Sequence, residues 1–281
     1  MTQFQLTAGQ IEDYGRHLLA EERSRSTVEK YLRDAGAFLR WLEGRTVTRE
    51  AAADWKGALL ETGCAPATVN AKLSALNGLF RFLGWEECRV KFLKVQRRLF
   101  RDAGRELTKG EYRRLTQTAA SLGRRRLELI LQTLCVTGIR VSEVKYITLE
   151  AARQGKAEIA LKGKIRTILI PDKLCRKLIR YARAEKIASG EIFLTRGGRS
   201  LSRKQIWAEM KAVCQTAGVA PSKVFPHNLR HLFARTFYRV CRDVARLADV
   251  LGHSSIETTR IYLISTGAEH EKTLSRLHLM L

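Results

Sequence analysis

Apolar residues recur at helical spacing through most of the chain, and between residues 7 and 84 they predict four helices. Thr7-x-x-Gln10 and Ser26-x-x-Glu29 have capping-box form, in which a hydroxyl accepts from a first-turn N–H and the third residue reaches back. Behind Ser26, the residues Val28, Tyr31, Leu32, Ala35, Phe38, Leu39 and Leu42 make one stripe. A third helix is predicted from Thr48 to about Thr62, ended by Gly63. A fourth follows Pro66, a good first-turn residue, with Val69, Leu73, Leu76, Phe80 and Leu83 on one face and Gly84 as its stop. Taken alone, residues 1–88 read as a small all-α domain.

Periodicity lapses over residues 89–106, where Lys91, Lys94, Arg97, Arg98, Arg101 and Arg105 crowd together and Asp102-Ala103-Gly104 signals a turn. Two readings stay open: a basic linker that crosses a phosphate backbone, and a solvated connector. The second domain, 107–281, opens on another capping box, Thr108-x-x-Glu111. Helices are predicted to about Ser121, over 124–137 with Gly138 as stop, and over 141–147. The period then changes from helical to alternating. Residues 157–161 and 166–170 predict two strands around Lys162-Gly163-Lys164, a β-hairpin with lysines at its tip. Pro171 ends the second strand. Helices follow near 172–188 and 202–217, with a short strand at 191–194 between them. Phe225-Pro226 leads into a helix whose apolar face, Phe233, Phe237 and Val240, reads as core. Val244–Leu251 is the next helical run, stopped by Gly252. The tail, 267–281, carries Leu274, Leu277, Leu279, Met280 and Leu281, too apolar a segment to stand in water without a groove. The fold class expected is mainly α with one small β-hairpin.

Charge narrows the partner. The formal net charge is +23, and it is uneven: residues 1–100 carry 16 basic and 12 acidic side chains, residues 101–281 carry 35 and 16. Such a field attracts a polyanion, nucleic acid above all. The six cysteines are scattered, without a Cys-x-x-Cys pair, which argues against zinc ribbons and redox motifs and for a reducing compartment. The first ten residues lack a signal-peptide apolar region and no run has the length of a membrane span, so a cytoplasmic protein without a membrane partner is expected.

The candidate chemistry lies between His227 and Tyr262. His227-Asn228-Leu229-Arg230-His231, Leu251-Gly252-His253 and Tyr262 follow in that order, and Thr137-Gly138-Ile139-Arg140-Val141-Ser142-Glu143 stands far upstream. These residue types suit attack of a tyrosine oxygen on a phosphodiester. Two arginines would grip the non-bridging oxygens, histidines would take the tyrosine proton, and Glu143 would brace Arg140. His227 and His231 at i, i+4 also fit a metal pair, but Arg230 lies between them and no carboxylate or thiolate joins them, so neither metal nor cofactor is expected.

In these motifs the chain resembles the tyrosine recombinase (phage integrase) family. The second arginine box matches His227, Arg230 and His231; the Leu-Gly-His box matches Leu251 to His253; the first arginine box matches Thr137 to Glu143; the nucleophile matches Tyr262. The family's hairpin pattern, Lys-Gly-x-Lys-x-Arg, is one residue shorter here, which leaves the catalytic lysine open between Lys162, preferred because it precedes the glycine, and Lys164. The resemblance implies a SAM-like core-binding domain and a catalytic domain; beside it, DNA contacts are expected from the basic residues Lys91, Lys94, Arg97, Arg98, Arg101, Lys164 and Arg166. It also implies four protomers around two double-stranded DNA recombination sites, each tail docked into a neighbour. A related recombinase as partner and accessory DNA-bending proteins are compatible with it. The length suits the compact Xer-like and mobile-element type. Two alternatives remain: a type IB topoisomerase-like or telomere-resolving enzyme, and a non-catalytic DNA-binding protein on the same fold.

Overall fold

The structure, a computed structural model, describes residues 4–95, 103–161, 164–253, 255–262 and 275. The chain divides into two compact units, Met1–Arg97 and Arg98–Leu281.

The first unit is built from α1 (Ala8–Ala20), α2 (Arg25–Leu42), α3 (Arg49–Glu61) and α4 (Pro66–Phe82). Thr7 and Gln10 form both halves of their capping box, and Thr48 caps α3 by accepting from the Ala51 N–H. The helix expected behind Ser26 begins earlier: Ser24 accepts from the Thr27 N–H, which draws Ser26 into the first turn. The predicted stripes meet in one core around Phe38, with Trp55 at 5.1 Å and Phe80 edge-on at 6.0 Å between ring centroids. Each such aromatic buries a large apolar area, and the offset geometries suit the ring quadrupoles.

Residues beyond α4 remain part of this unit. Asn77 donates from Nδ2 to the Val90 carbonyl at 2.9 Å and accepts from the Val90 N–H at 3.1 Å. Asn70 does the same to Leu93, at 2.9 and 2.8 Å. Each amide thus pairs with the donor and the acceptor of one residue, as a neighbouring strand would.

The second unit opens with α5 (Lys109–Ser121), capped reciprocally by Thr108 and Glu111, and α6 (Arg125–Thr137), closed by Gly138 in the left-handed region. The helix expected at 141–147 is a 3₁₀ helix, Val141–Tyr146. A short helix that periodicity did not signal, α7 (Leu149–Gln154), follows between the Thr148 cap and Gly155; six residues are too few to show a repeat. Strands β1 (Lys156–Leu161) and β2 (Lys164–Leu169) pair antiparallel, with Ile159 opposite Arg166 and Leu161 opposite Lys164.

α8 (Asp172–Ala184) is shorter than expected, and α9 (Arg203–Lys211) gives way to turns over 212–218 that still bury Val213, Cys214 and Ala217. The strand expected at 191–194 is reduced to single bridges, Thr148 with Glu191 and Leu194 with Ser200; Ile192 and Phe193 are apolar because they enter the core. α10 (Pro226–Cys241), α11 (Val244–Leu251) and α12 (Ile256–Arg260) complete the described elements. Val240, expected in the core, is 84% exposed at the end of α10, while Phe233 and Phe237 pack on the cluster of Ala234, Leu247, Leu251 and Tyr262.

Asn77→Ala removes two buried hydrogen bonds and leaves the polar groups of Val90 without them. A loss of about 2 kcal/mol is expected. Three of the four tryptophans (Trp41, Trp55, Trp85) lie in this unit, so urea unfolding followed by tryptophan fluorescence measures it. An unchanged midpoint would show that the amide pairing contributes nothing.

Candidate active site

α10 starts at Pro226, whose missing N–H costs nothing at a first helical position. Its first turn is tied down by Asn228, whose Nδ2 donates to the carbonyls of Arg105 and Lys223, both at 2.8 Å. Two turns later Arg235 donates to the Glu106 carboxylate, and at 2.9 Å to the Leu107 carbonyl. The chain entering the catalytic unit is therefore fastened along α10.

Arg230 is the largest wholly buried side chain described, 1% exposed. Its Nη1 donates to the Gly138 carbonyl at 2.5 Å, and its Nη2 to the Leu251 carbonyl at 2.8 Å. These carbonyls stand at the C-terminal ends of α6 and α11, where helix carbonyls lack intrahelical partners and the helix dipole is negative. A guanidinium is the complement of such a place. Nη2 also lies 2.9 Å from His253 Nε2. The Arg230 Nε has no hydrogen-bond partner among the described residues.

Glu143 is equally buried, at 1%. It accepts from the Arg140 N–H at 2.7 Å and from Arg140 Nη1 at 3.1 Å, and from Arg166 Nη2 at 2.6 Å. One carboxylate thus orients two guanidiniums. Arg140 keeps its outer side toward solvent, its side chain 44% exposed. Arg166, expected as a DNA contact, turns inward instead: its Nη1 donates to the Val250 carbonyl at 3.4 Å and its chain packs on Gly252. The buried carboxylate outcompetes solvent for it.

The two motif glycines have separate physical reasons. Both have left-handed φ, +65° at Gly138 and +64° at Gly252. A Cβ would also come within 2.3 Å of the Phe233 ring at the first and 2.4 Å of Arg166 Cδ at the second.

Tyr262 is buried with its ring between two histidines: His231 lies edge-on at 4.6 Å between centroids, and His253 is stacked at 5.9 Å. His227 meets His231 edge-on at 4.7 Å. Burial, and then the cations, depress all three imidazoles. His253 is pushed down to about 4 by burial and by Arg230, Arg140 and Arg166; His231 is pushed down to about 4 by burial, His227 and Arg235. His227 is lowered by burial, Arg230 and Arg140. All three are neutral at pH 7 and each keeps one ring lone pair. The Tyr262 hydroxyl lies near enough to Arg230 to favour its charge, against burial, which lowers the Arg230 pKa.

The fold brings Arg140, Glu143, Arg166, His227, Arg230, His231, His253 and Tyr262 into one site. Lys91 and Lys94 are exposed on the first unit. Lys162, Arg97, Arg98, Arg101 and the tail segments 267–274 and 276–281 lie outside the described residues, and Lys164 is described only as the first residue of β2. Sequence reasoning passed over Asn228, although it stands inside the quoted motif, and Thr259, which lies three residues before Tyr262 near the end of α12.

Residues 105–269 match the phage integrase family and residues 11–87 the phage integrase N-terminal SAM-like domain, so the chain belongs to this family, as the motifs implied. Within it, the chain is similar to tyrosine recombinase XerA of Pyrococcus furiosus, 29% identical over 279 residues that span 96% of this chain and 94% of that protein. Two solved structures share the fold. XerH site-specific recombinase bound to difH substrate in a pre-cleavage complex superposes with a TM-score of 0.69 at 18% identity, covering 95% of this chain and 84% of that one. A lambda integrase tetramer bound to a Holliday junction gives 0.70 at 21% identity, covering 88% and 77%.

The depressed imidazoles make stability pH-dependent. Their folded pKa lies below the ordinary 6.5, so the unfolded chain binds more protons between about 4 and 6.5. Their contribution is complete above pH 6.5 and is lost as pH falls toward 4. The histidine window therefore runs from about 6.5 down to about 4. Thermal unfolding of the catalytic unit, followed by circular dichroism at constant ionic strength, should shift to lower temperature across that window, and less so in His231→Asn. A flat or rising midpoint would contradict buried neutral histidines.

Proposed function

We propose that the chain is a site-specific DNA recombinase that cleaves and rejoins DNA through a 3′-phosphotyrosyl intermediate and exchanges strands between two sites. The observation that carries this reading is Tyr262 lodged between His231 and His253 in one site with the buried Arg230.

The Tyr262 oxygen attacks the scissile phosphorus, a P–O bond to the tyrosine forms, and the 5′-oxygen of the next nucleotide leaves. A tyrosine hydroxyl has an ordinary pKa of about 10 and needs a base. The neutral imidazoles supply lone pairs for its proton at neutral pH. Charge developing on the non-bridging oxygens is met by Arg140, with its exposed outer edge, and by Arg230, with its unpartnered Nε. The departing 5′-oxygen takes a proton from the hairpin lysine, Lys162 by preference and Lys164 as alternative. The phosphotyrosyl bond conserves the energy of the phosphodiester, so a 5′-hydroxyl from the second site can reseal it without ATP.

Double-stranded DNA is the substrate, and the excess of 35 basic over 16 acidic side chains in residues 101–281 suits it. Residues 1–88 would bind one side of the duplex, and the basic residues of 89–106 suit a linker that crosses the phosphate backbone. The working assembly is a homotetramer on two sites, or one formed with a related recombinase. A groove of about 490 Å³ between α5, α6 and α10, lined by Tyr112, Cys135, Leu232, Phe237 and Val240, is apolar enough to receive the tail of a neighbouring protomer. Accessory DNA-bending proteins and a role on a mobile element fit the same scheme. On this reading the protein would act in the cytoplasm, at the nucleoid. A topoisomerase-like, telomere-resolving or non-catalytic reading is disfavoured by the company of recombinases.

Tyr262→Phe should bind DNA as the wild type does and form no covalent adduct on denaturing gels; an adduct persisting at another residue, such as Tyr238, would remove Tyr262 from the role. A duplex with sulfur at the 5′-bridging position has a better leaving group and needs less acid. It should restore cleavage to Lys162→Ala and leave Arg140→Ala inactive, whereas rescue confined to Lys164→Ala would move the acid to Lys164.

A further inference from the structure

His253 stands in the short connection between α11 and α12, and its two ring nitrogens meet different partners. Nε2 lies 2.9 Å from Arg230 Nη2. A guanidinium only donates, so Nε2 carries the lone pair. In the neutral ring the proton is then on Nδ1, which lies 2.8 Å from the Thr259 hydroxyl oxygen. Burial and the surrounding cations keep that ring neutral, pushed down to about 4.

Thr259 is wholly enclosed, at 0% exposure. It is joined to the nucleophile as well, because its carbonyl accepts from the Tyr262 N–H at 3.0 Å. A helix of five residues, α12, offers Tyr262 little support of its own. One residue therefore touches the histidine through its side chain and the tyrosine through its backbone.

We propose that Thr259 is a positioning residue: its hydroxyl holds His253 in the Nδ1–H tautomer, so that the Nε2 lone pair is turned onto Arg230, while its carbonyl sets the position of Tyr262 against both. The other tautomer would face an N–H toward the guanidinium, and two donors in contact repel; a reversed ring would face it with the Cε1–H, which accepts nothing. Arg230 would then lose one of its three partners. The bland alternative, a buried threonine chosen for its methyl group, makes no demand on the hydroxyl. The inference rests on Tyr262 as nucleophile only for its catalytic consequence; the tautomer stands apart from it.

The test uses the full-length protein and two variants, Thr259→Val, which keeps the shape and loses the hydroxyl, and Thr259→Ser, which keeps the hydroxyl and loses the methyl. Imidazole ¹⁵N resonances, assigned to His253 through His253→Asn, report the tautomer directly. Covalent adduct formed on genomic DNA of the source organism reports the reaction. The wild type should show a protonated Nδ1 and an unprotonated Nε2. Thr259→Val should mix or invert that pattern and lower adduct formation by about tenfold or more, the scale of a misplaced reacting group, with DNA binding unchanged. Thr259→Ser should restore both. The proposal is overturned if wild-type His253 carries its proton on Nε2, if Thr259→Val keeps the wild-type tautomer, or if Thr259→Ser is as impaired as Thr259→Val. A wild type that yields no adduct would instead defeat the reading of Tyr262, and the imidazole spectrum would still decide the role of Thr259.

Discussion

A positive charge taken out of water is the condition on which the catalytic unit is built. Arg230 sits where two helices end, and the carbonyls of Gly138 and Leu251 supply the partial negative charge that hydration no longer gives. Three stretches far apart in sequence must be in place together to make that pocket: the end of α6, the first turns of α10, and the end of α11. The carbonyl of Gly138 is two residues before Arg140, and that of Leu251 two residues before His253. Burying one guanidinium thus brings the other functional groups to it.

Burial first, and then the same cations that suit a phosphate, set the state of the bases. Arg140, Arg166 and Arg230 push His253 down, and Arg230 acts on His227 and His231 too. A buried imidazole among arginines is neutral at physiological pH and therefore able to accept a proton. Glu143 keeps this crowd of charge from flying apart, since its two oxygens serve Arg140 and Arg166 together. The left-handed glycines matter for the same reason: they let the two helix ends close without a Cβ intruding on Phe233 or Arg166.

Much of this was legible in the chain. The helical stripes of the first unit, the capping boxes at Thr7 and Thr108, and the hairpin follow from local periodicity and cap chemistry, which need no knowledge of the rest of the fold. The motif residues were recognisable by type and order. What local pattern cannot carry is where a side chain goes once distant segments meet. Arg166 reads as a basic hairpin residue, and only the buried Glu143 turns it inward. Val240 continues an apolar stripe, yet α10 outruns the core beneath it. Backbone carbonyls, which hold Arg230, leave no trace in composition at all. Asn228 and Thr259 are common surface residues, distinguished only by what their polar atoms reach.

The pairing of α4 with the segment after it is a match between two rulers. Asn70 and Asn77 are seven residues apart, nearly two helical turns, so they face one side about 10.5 Å from each other. Val90 and Leu93 are three residues apart, one repeat of a polyproline-like chain and about 9 Å, which suits the φ of −67° and ψ of 140° at Arg89 just before them. Lys91 and Phe92, in between, face outward. Sliding the segment by one position would lose both pairings at once and carry Lys91 toward the helix. The exit from the first unit is therefore indexed in whole repeats rather than free to creep, and wherever the chain sets out toward the catalytic unit, it sets out from the same notch.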